Sequence, residues 1–222
     1  MLTYLISPAN STYSNNYPWG FAANESDNFQ LGNSTLYIWY SNGSLLSDSN
    51  LTKISGTSNQ TNWTYTIPQD GNYSWNVFTY DAAGNAAFNS TNRIFVLDTI
   101  PPQIQFSSPT PGNNSYLSQN YIPVNISASD INFANVTVYL YNSSGALNAS
   151  FTNYTENAFN SFMNLSQGVY FVNATAYDLA GNVNSTETRQ ITLDTTPPNA
   201  SLVSVKLKFH TLHMVQQRKP AI

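Results

Sequence analysis

The stretch Gly71-Asn72-Tyr73-Ser74-Trp75-Asn76-Val77-Phe78-Thr79-Tyr80-Asp81-Ala82-Ala83-Gly84-Asn85 returns later as Gly168-Val169-Tyr170-Phe171-Val172-Asn173-Ala174-Thr175-Ala176-Tyr177-Asp178-Leu179-Ala180-Gly181-Asn182. In both copies one set of alternating residues, Tyr73, Trp75, Val77 and Thr79 or Tyr170, Val172, Ala174 and Ala176, shares a face of a strand, and that face is assigned inward. Asp-x-Ala-Gly-Asn then ends the strand. Gly and Asn accept positive φ at little cost, and Asp bonds the backbone two residues on, so a tight hairpin turn is expected. The following strand, Asn92 to Leu97 or Thr188 to Leu193, is rich in β-formers and runs into Pro101-Pro102 or Pro197-Pro198. Proline cannot donate to a ladder, and two in a row favour a stiff, extended connection, which marks a domain junction.

Working outward, Gly84 and Gly181 are 97 residues apart, Asp98 and Asp194 are 96 apart, and Asn33-Ser34-Thr35-Leu36-Tyr37-Ile38 matches Asn135-Val136-Thr137-Val138-Tyr139-Leu140 at 102. A longer loop in the first copy, between Ser47 and Asn62, is expected to absorb the difference. In the second copy Ile122, Val124, Ile126 and Ala128 alternate on one face, as do Val136, Val138 and Leu140, and Asn142-Ser143-Ser144-Gly145 turns the chain. Short strands at this spacing, with no helical periodicity, predict an all-β sandwich in each copy. The expected domains are residues 1–100 and 101–198. From 199 to 222 a truncated third repeat begins, followed by a disordered or aberrant tail; this stretch holds Lys206, Lys208, Arg218, Lys219 and both histidines, His210 and His213.

Gly-x-Tyr leading into the repeated strand resembles the tyrosine corner of immunoglobulin-like domains. The whole unit, Gly-x-Tyr, Asp-x-Ala-Gly-Asn and Asp-Thr-x-Pro-Pro, resembles the bacterial and archaeal Ig-like repeats of large cell-surface and S-layer-type proteins, over roughly residues 1 to 200. The resemblance implies two tandem immunoglobulin-like β-sandwiches with Greek-key topology. It implies a non-enzymatic spacer or adhesion-type repeat, extracellular or on the cell surface, whose partners are neighbouring Ig-like repeats of the same longer chain and surface glycans or other surface proteins. The competing reading is a carbohydrate- or ligand-binding accessory module of a secreted enzyme or adhesin tip.

Composition sets limits on both readings. Only 8% of residues are charged, so Asn, Ser, Thr and the 15 Tyr must keep the surface wet. There is no Cys, which excludes disulfides and thiolate metal sites. Residues 1 to 200 hold eleven acids against Lys53, Arg93 and Arg189, a net −8, and such a body does not suit nucleic acid. No apolar run reaches the length of a membrane span, and the start lacks the basic region of a signal peptide, so the signal and anchor of an exported protein are expected outside this stretch. Serine and cysteine triads fail for want of Cys and of His in the body, and no phosphate-binding Gly loop is present.

Three features carry candidate chemistry. Nineteen Asn-x-Ser/Thr sequons occur, against about seven expected by chance from composition. Asn33, Asn125, Asn135 and Asn173 fall on the outward parity of their strands and are the N-glycosylation candidates. Asp81 with Asp98, and Asp178 with Asp194, recur at strand ends near junctions; they are calcium candidates or turn-capping residues, and no other cofactor is expected. Trp19, Trp39, Trp63 and Trp75 all lie in the first copy. Trp75 has inward parity and Trp39 covers an edge, whereas Trp19 and Trp63 are free for either a core or a glycan-binding platform.

Overall fold

The structure, a computed structural model, describes residues 1–199, the side chains of residues 49 and 50 excepted. The expectations for the tail beyond Asn199 lie outside the described residues. Nine strands build the first copy: β1 (Leu2–Ser7), β2 (Thr12–Ser14), β3 (Trp19–Ser26), β4 (Leu31–Tyr40), β5 (Leu45–Lys53), β6 (Ser58–Tyr65), β7 (Gly71–Asp81), β8 (Ala86–Phe88) and β9 (Arg93–Leu97). Nine more repeat them: β10 (Gln103–Ser107), β11 (Ser115–Leu117), β12 (Ile122–Ser129), β13 (Phe133–Asn142), β14 (Leu147–Asn153), β15 (Asn157–Phe162), β16 (Gly168–Asp178), β17 (Val183–Ser185) and β18 (Arg189–Leu193). No helix occurs among the described residues.

Each copy is a pair of facing sheets. In the first, β1-β3-β6 faces β2-β9-β7-β4-β5, with β8 added beside β7; in the second, β10-β12-β15 faces β11-β18-β16-β13-β14, with β17 beside β16. The chain changes sheet between β3 and β4, returns between β5 and β6, and crosses again to β7, which is the Greek-key path of an Ig-like sandwich. The N-terminal segment serves both sheets. β1 pairs antiparallel with β3, and β2 then pairs parallel with β9; β10 and β11 do the same with β12 and β18.

The alternating residues take the faces that their parity assigns. Tyr73, Trp75, Val77 and Thr79 are buried, as are Tyr170, Val172, Ala174 and Ala176. The tyrosine corner forms twice: the Tyr73 hydroxyl donates to the Gln69 carbonyl at 2.6 Å, and that of Tyr170 to the Ser166 carbonyl at 3.0 Å. Between Ser47 and Asn62 the extra residues of the first copy also lengthen strands: β5 has 9 residues against 7 in β14, and β6 has 8 against 6 in β15. Paired backbone satisfies its own hydrogen bonds, which a long loop would leave to water.

Two separate cores result. The second is mostly aliphatic, built on Ile122, Val124, Ile126, Val138, Leu140 and Val172. The first is aromatic: Trp75 meets Phe21 edge-on at 5.3 Å, and Phe95 packs on Trp19 at 4.5 Å and on Tyr73 at 5.3 Å. The cores differ again at one end. Where the second has Ala128, Val136, Ala158 and Ala176, the first has Glu25, Ser34, Thr61 and Thr79. Glu25 is 1% exposed and accepts from the Ser34 and Thr61 hydroxyls at 3.0 and 3.2 Å.

Candidate functional site at the junction of the sandwiches

The turn Asp-x-Ala-Gly-Asn builds the site. In both copies its glycine, Gly84 or Gly181, has φ +89°, a conformation that costs side-chain-bearing residues strain. In the first copy the Asp81 carboxylate accepts from the backbone N–H groups of Ala83 and Asn85 and from the Asn85 amide at 2.7 Å. The Asn85 amide leads the hydrogen bonds that hold the Asp81 pKa below its usual range. In the second copy Asp178 accepts from the Asn182 N–H and amide in the same way, but here Asp178, Ala180 and Asn182 are buried.

They are buried because the end of the first copy lies against them. Asp98 follows β9, and its carbonyl accepts from the Asn182 amide at 2.8 Å while its carboxylate accepts from the Asn132 amide at 2.6 Å. Asn15 of the first sandwich donates to the Asn182 side-chain oxygen at 3.0 Å, and Asn184 donates to the Pro102 carbonyl at 2.9 Å. Asp98, Asp130 and Asp178 thereby come together, each offering a carboxylate oxygen within 4.8 Å of the others. Asp98 is 4% exposed and Asp178 is 5% exposed. Glu156 adjoins them, accepting from the Asp130 N–H at 3.2 Å. Burial first, then the charges of Asp98, Asp178 and Glu156, push the Asp130 pKa up against the lowering by the Asn132 N–H. Among the described residues, no ion pair neutralises these four acids.

The aspartates named from sequence therefore meet in a different combination. Asp81 does not join Asp98, nor Asp178 Asp194. β7 pairs with β9 so that Gly71 faces Leu97, which puts Asp98 beside the start of β7 and Asp81 at its far end. Eleven residues of strand separate the two by about 33 Å. Asp178 and Asp194 are divided by β16 in the same way, and Asp194 is exposed and accepts from the Thr196 N–H. The pair that forms is Asp98 of one copy with Asp178 of the next. Asp130 and Asn132 were not read from the sequence; the recurrence of Ser26-Asp27 as Ser129-Asp130 was the available signal.

The four glycosylation candidates are half-buried. Asn125 and Asn173 use their amide nitrogens inside the protein, donating to the Ser108 carbonyl and the Thr188 hydroxyl. Asn33 and Asn135 have no such bond among the described residues, although the Asn33 oxygen is buried without a partner. Exposed sequon residues, among them Asn24, Asn62, Asn72 and Asn148, lie outside that set. No sequon Asn with a described side chain is buried, whereas Asn76 and Asn182, outside any sequon, are. Of the tryptophans, Trp19 and Trp63 are buried with Trp75 in the first core, because β3 and β6 turn both indoles inward against Phe95 and Phe21; Trp39 alone lies on an outer face.

Two sandwiches joined through a buried acidic contact define a tandem Ig-like β-sandwich protein. A bacterial Ig-like domain family model matches residues 24–99 and again 113–195, and the chain belongs to that family. Among solved structures it is similar to the fibronectin(III)-like modules of Clostridium thermocellum CbhA, at 14% identity over 86% of this chain and 93% of that one, with TM-score 0.45. It is also similar to a tetra-tandem repeat in the extending region of a large adhesion protein, at 20% identity over 87% of this chain and 50% of that one, with TM-score 0.39. The human OSCAR ligand-binding domain gives 11% identity over 85% and 97% of the two chains, with TM-score 0.34. No match is found among curated proteins.

Proposed function

We propose that the chain is a non-enzymatic, stiff spacer of a glycosylated cell-surface protein of the adhesin or S-layer type, acting outside the cell and stacking against neighbouring repeats. One observation carries the reading: Asp98, at the end of the first sandwich, is buried and held by Asn132 and Asn182 of the second. A linker tied to the following domain transmits orientation, which a spacer needs and a freely jointed pair lacks. Small-angle scattering of the two-repeat protein tests it. The expected curve fits one rigid particle, and Asn132→Ala with Asn182→Ala broadens it; a wild-type curve that requires freely jointed sandwiches overturns the reading.

Calcium is the cofactor this reading takes at the junction. Ca2+ binds six to eight oxygens from carboxylates, carbonyls and water, and Asp98, Asp130 and Asp178 supply three carboxylates that make no ion pair among the described residues. Bound there, the ion would cancel the repulsion among them and clamp the two sandwiches. Asp81 and Asp194 keep turn-capping roles. The sequon excess, with no sequon asparagine of described side chain buried, supports a glycan coat, which also keeps a surface with so few charges soluble. Intact mass of the native protein before and after deglycosylation reads this directly. An unmodified mass removes the coat and leaves the spacer.

A further inference from the structure

The outer face of the larger sheet in the first copy carries a run of aromatic rings, of which Tyr37, Trp39 and Tyr80 match Tyr139, Tyr141 and Tyr177 of the second copy while Phe78 and Phe88 have no aromatic counterpart there. Tyr37 and Trp39 stand on β4, Phe78 and Tyr80 on β7, and Phe88 on β8. Phe78 lies 4.4 Å from Phe88 and 5.0 Å from Tyr80, and Tyr37 lies 5.1 Å from Phe88 and 5.6 Å from Trp39. Phe88 is 42% exposed and Tyr80 37% exposed, so the cluster opens to solvent. In the second copy the pair matching Phe78 and Phe88 is Thr175 and Ser185, whose hydroxyls hydrogen-bond at 2.9 Å. The same sandwich thus forms with polar residues at this place. An aromatic surface that stays partly open to solvent suits an occupant with apolar faces and few charges.

Asn33 stands at the margin of that surface. It heads the sequon Asn33-Ser34-Thr35 and pairs across β4 and β7 with Tyr80, on the same face of the sheet. Adjacent strands are about 4.8 Å apart, so a sugar joined to the Asn33 nitrogen begins one strand away from the Tyr80 ring. Sugar rings present C–H faces to aromatic rings and hydroxyls to water. We infer that Asn33 carries an N-linked glycan whose first sugars lie across Tyr80, Phe78 and Phe88, so that the aromatic face is a seat for the protein's own modification. The inference rests on the glycosylated reading above. Thr35 is buried, so transfer to Asn33 precedes the packing of β4, and the sheet then closes with the glycan in place.

Glycopeptide mass spectrometry on the native protein, followed by melting of natively produced variants, tests the proposal. The expected result is a glycan at Asn33, and a fall of about 4 °C in the melting temperature of the first sandwich in Asn33→Gln, the scale of one aromatic contact in a domain of this size. In the background Phe78→Thr with Phe88→Ser, which installs the residues of the second copy, Asn33→Gln is expected to change nothing further. Circular dichroism checks that this background folds. An unmodified Asn33 beside glycosylated Asn24, Asn62 or Asn72 overturns the inference and leaves the coat standing. So does a modified Asn33 whose loss leaves melting unchanged, or a wild-type protein that dimerises through this face. A protein with no glycan at any sequon overturns the coat and the inference together.

Discussion

Glu25 sits where water cannot reach it and meets hydroxyls in place of a cation, so its carboxyl group is held above its usual pKa, by burial first and against the hydrogen bonds of Ser34, Thr61 and Asn59. A carboxyl raised on folding adds stability that is complete below its unfolded pKa and is lost as pH rises through the folded one. The first sandwich is therefore expected to resist denaturant better in mild acid than at neutral pH, with Glu25→Gln flattening the difference. All four Trp lie in this copy, so their fluorescence reads its unfolding alone; equal midpoints at both pH values would refute the argument. The partner positions in the second copy, Ala128, Val136 and Ala176, show that nothing in the fold demands a polar cluster here. At this scale the sequence was legible where alternation was clean. Trp75 and Val172 declared their faces by parity. Glu25, Trp19 and Trp63 did not, since a buried acid contradicts the polarity rule and the partner strand of Trp19 lies more than forty residues away.

The two copies of the Asp-x-Ala-Gly-Asn turn are one element in two environments. In the first it caps itself at the surface; in the second it receives the preceding domain. Cations bind carboxylates without their protons, so an ion at Asp98, Asp130 and Asp178 competes with acid. Calcium at a hundredfold excess over its dissociation constant is expected to add about 3 kcal/mol to unfolding at neutral pH, and to add nothing once the pH falls below the carboxylate range. Asp178→Asn abolishes the gain while Asp81→Asn leaves it intact. Titration calorimetry with calcium alone decides the matter, and heat that survives in Asp178→Asn would place the ion elsewhere. The turn itself was plain in the sequence, because Gly and Asn at fixed offsets dictate its shape. Its partner was not plain. Asp98 and Asp178 meet only after the Pro101-Pro102 linker has set one sandwich on the other, and strand periodicity says nothing of that path.

At the scale of the whole molecule, the two cores share no buried residue. Trp75→Ala removes the largest fully buried side chain and is expected to cost the first sandwich about 3 to 5 kcal/mol. Circular dichroism should then resolve two transitions, only the earlier of which coincides with loss of tryptophan fluorescence. A single coincident transition would mean that the junction binds the sandwiches into one cooperative unit. The two-domain outline was legible from the repeat, since a period near 97 residues with Pro-Pro at its end leaves few other folds open. One detail of the strand order bears on the proposed spacer role, in which the chain is pulled from both ends. β2, near the start of the first sandwich, runs parallel to β9 at its end, and β11 and β18 repeat the arrangement. Traction on the two ends draws such strands past one another along their length, so their hydrogen bonds resist together and yield in one event; an antiparallel closure would peel open bond by bond.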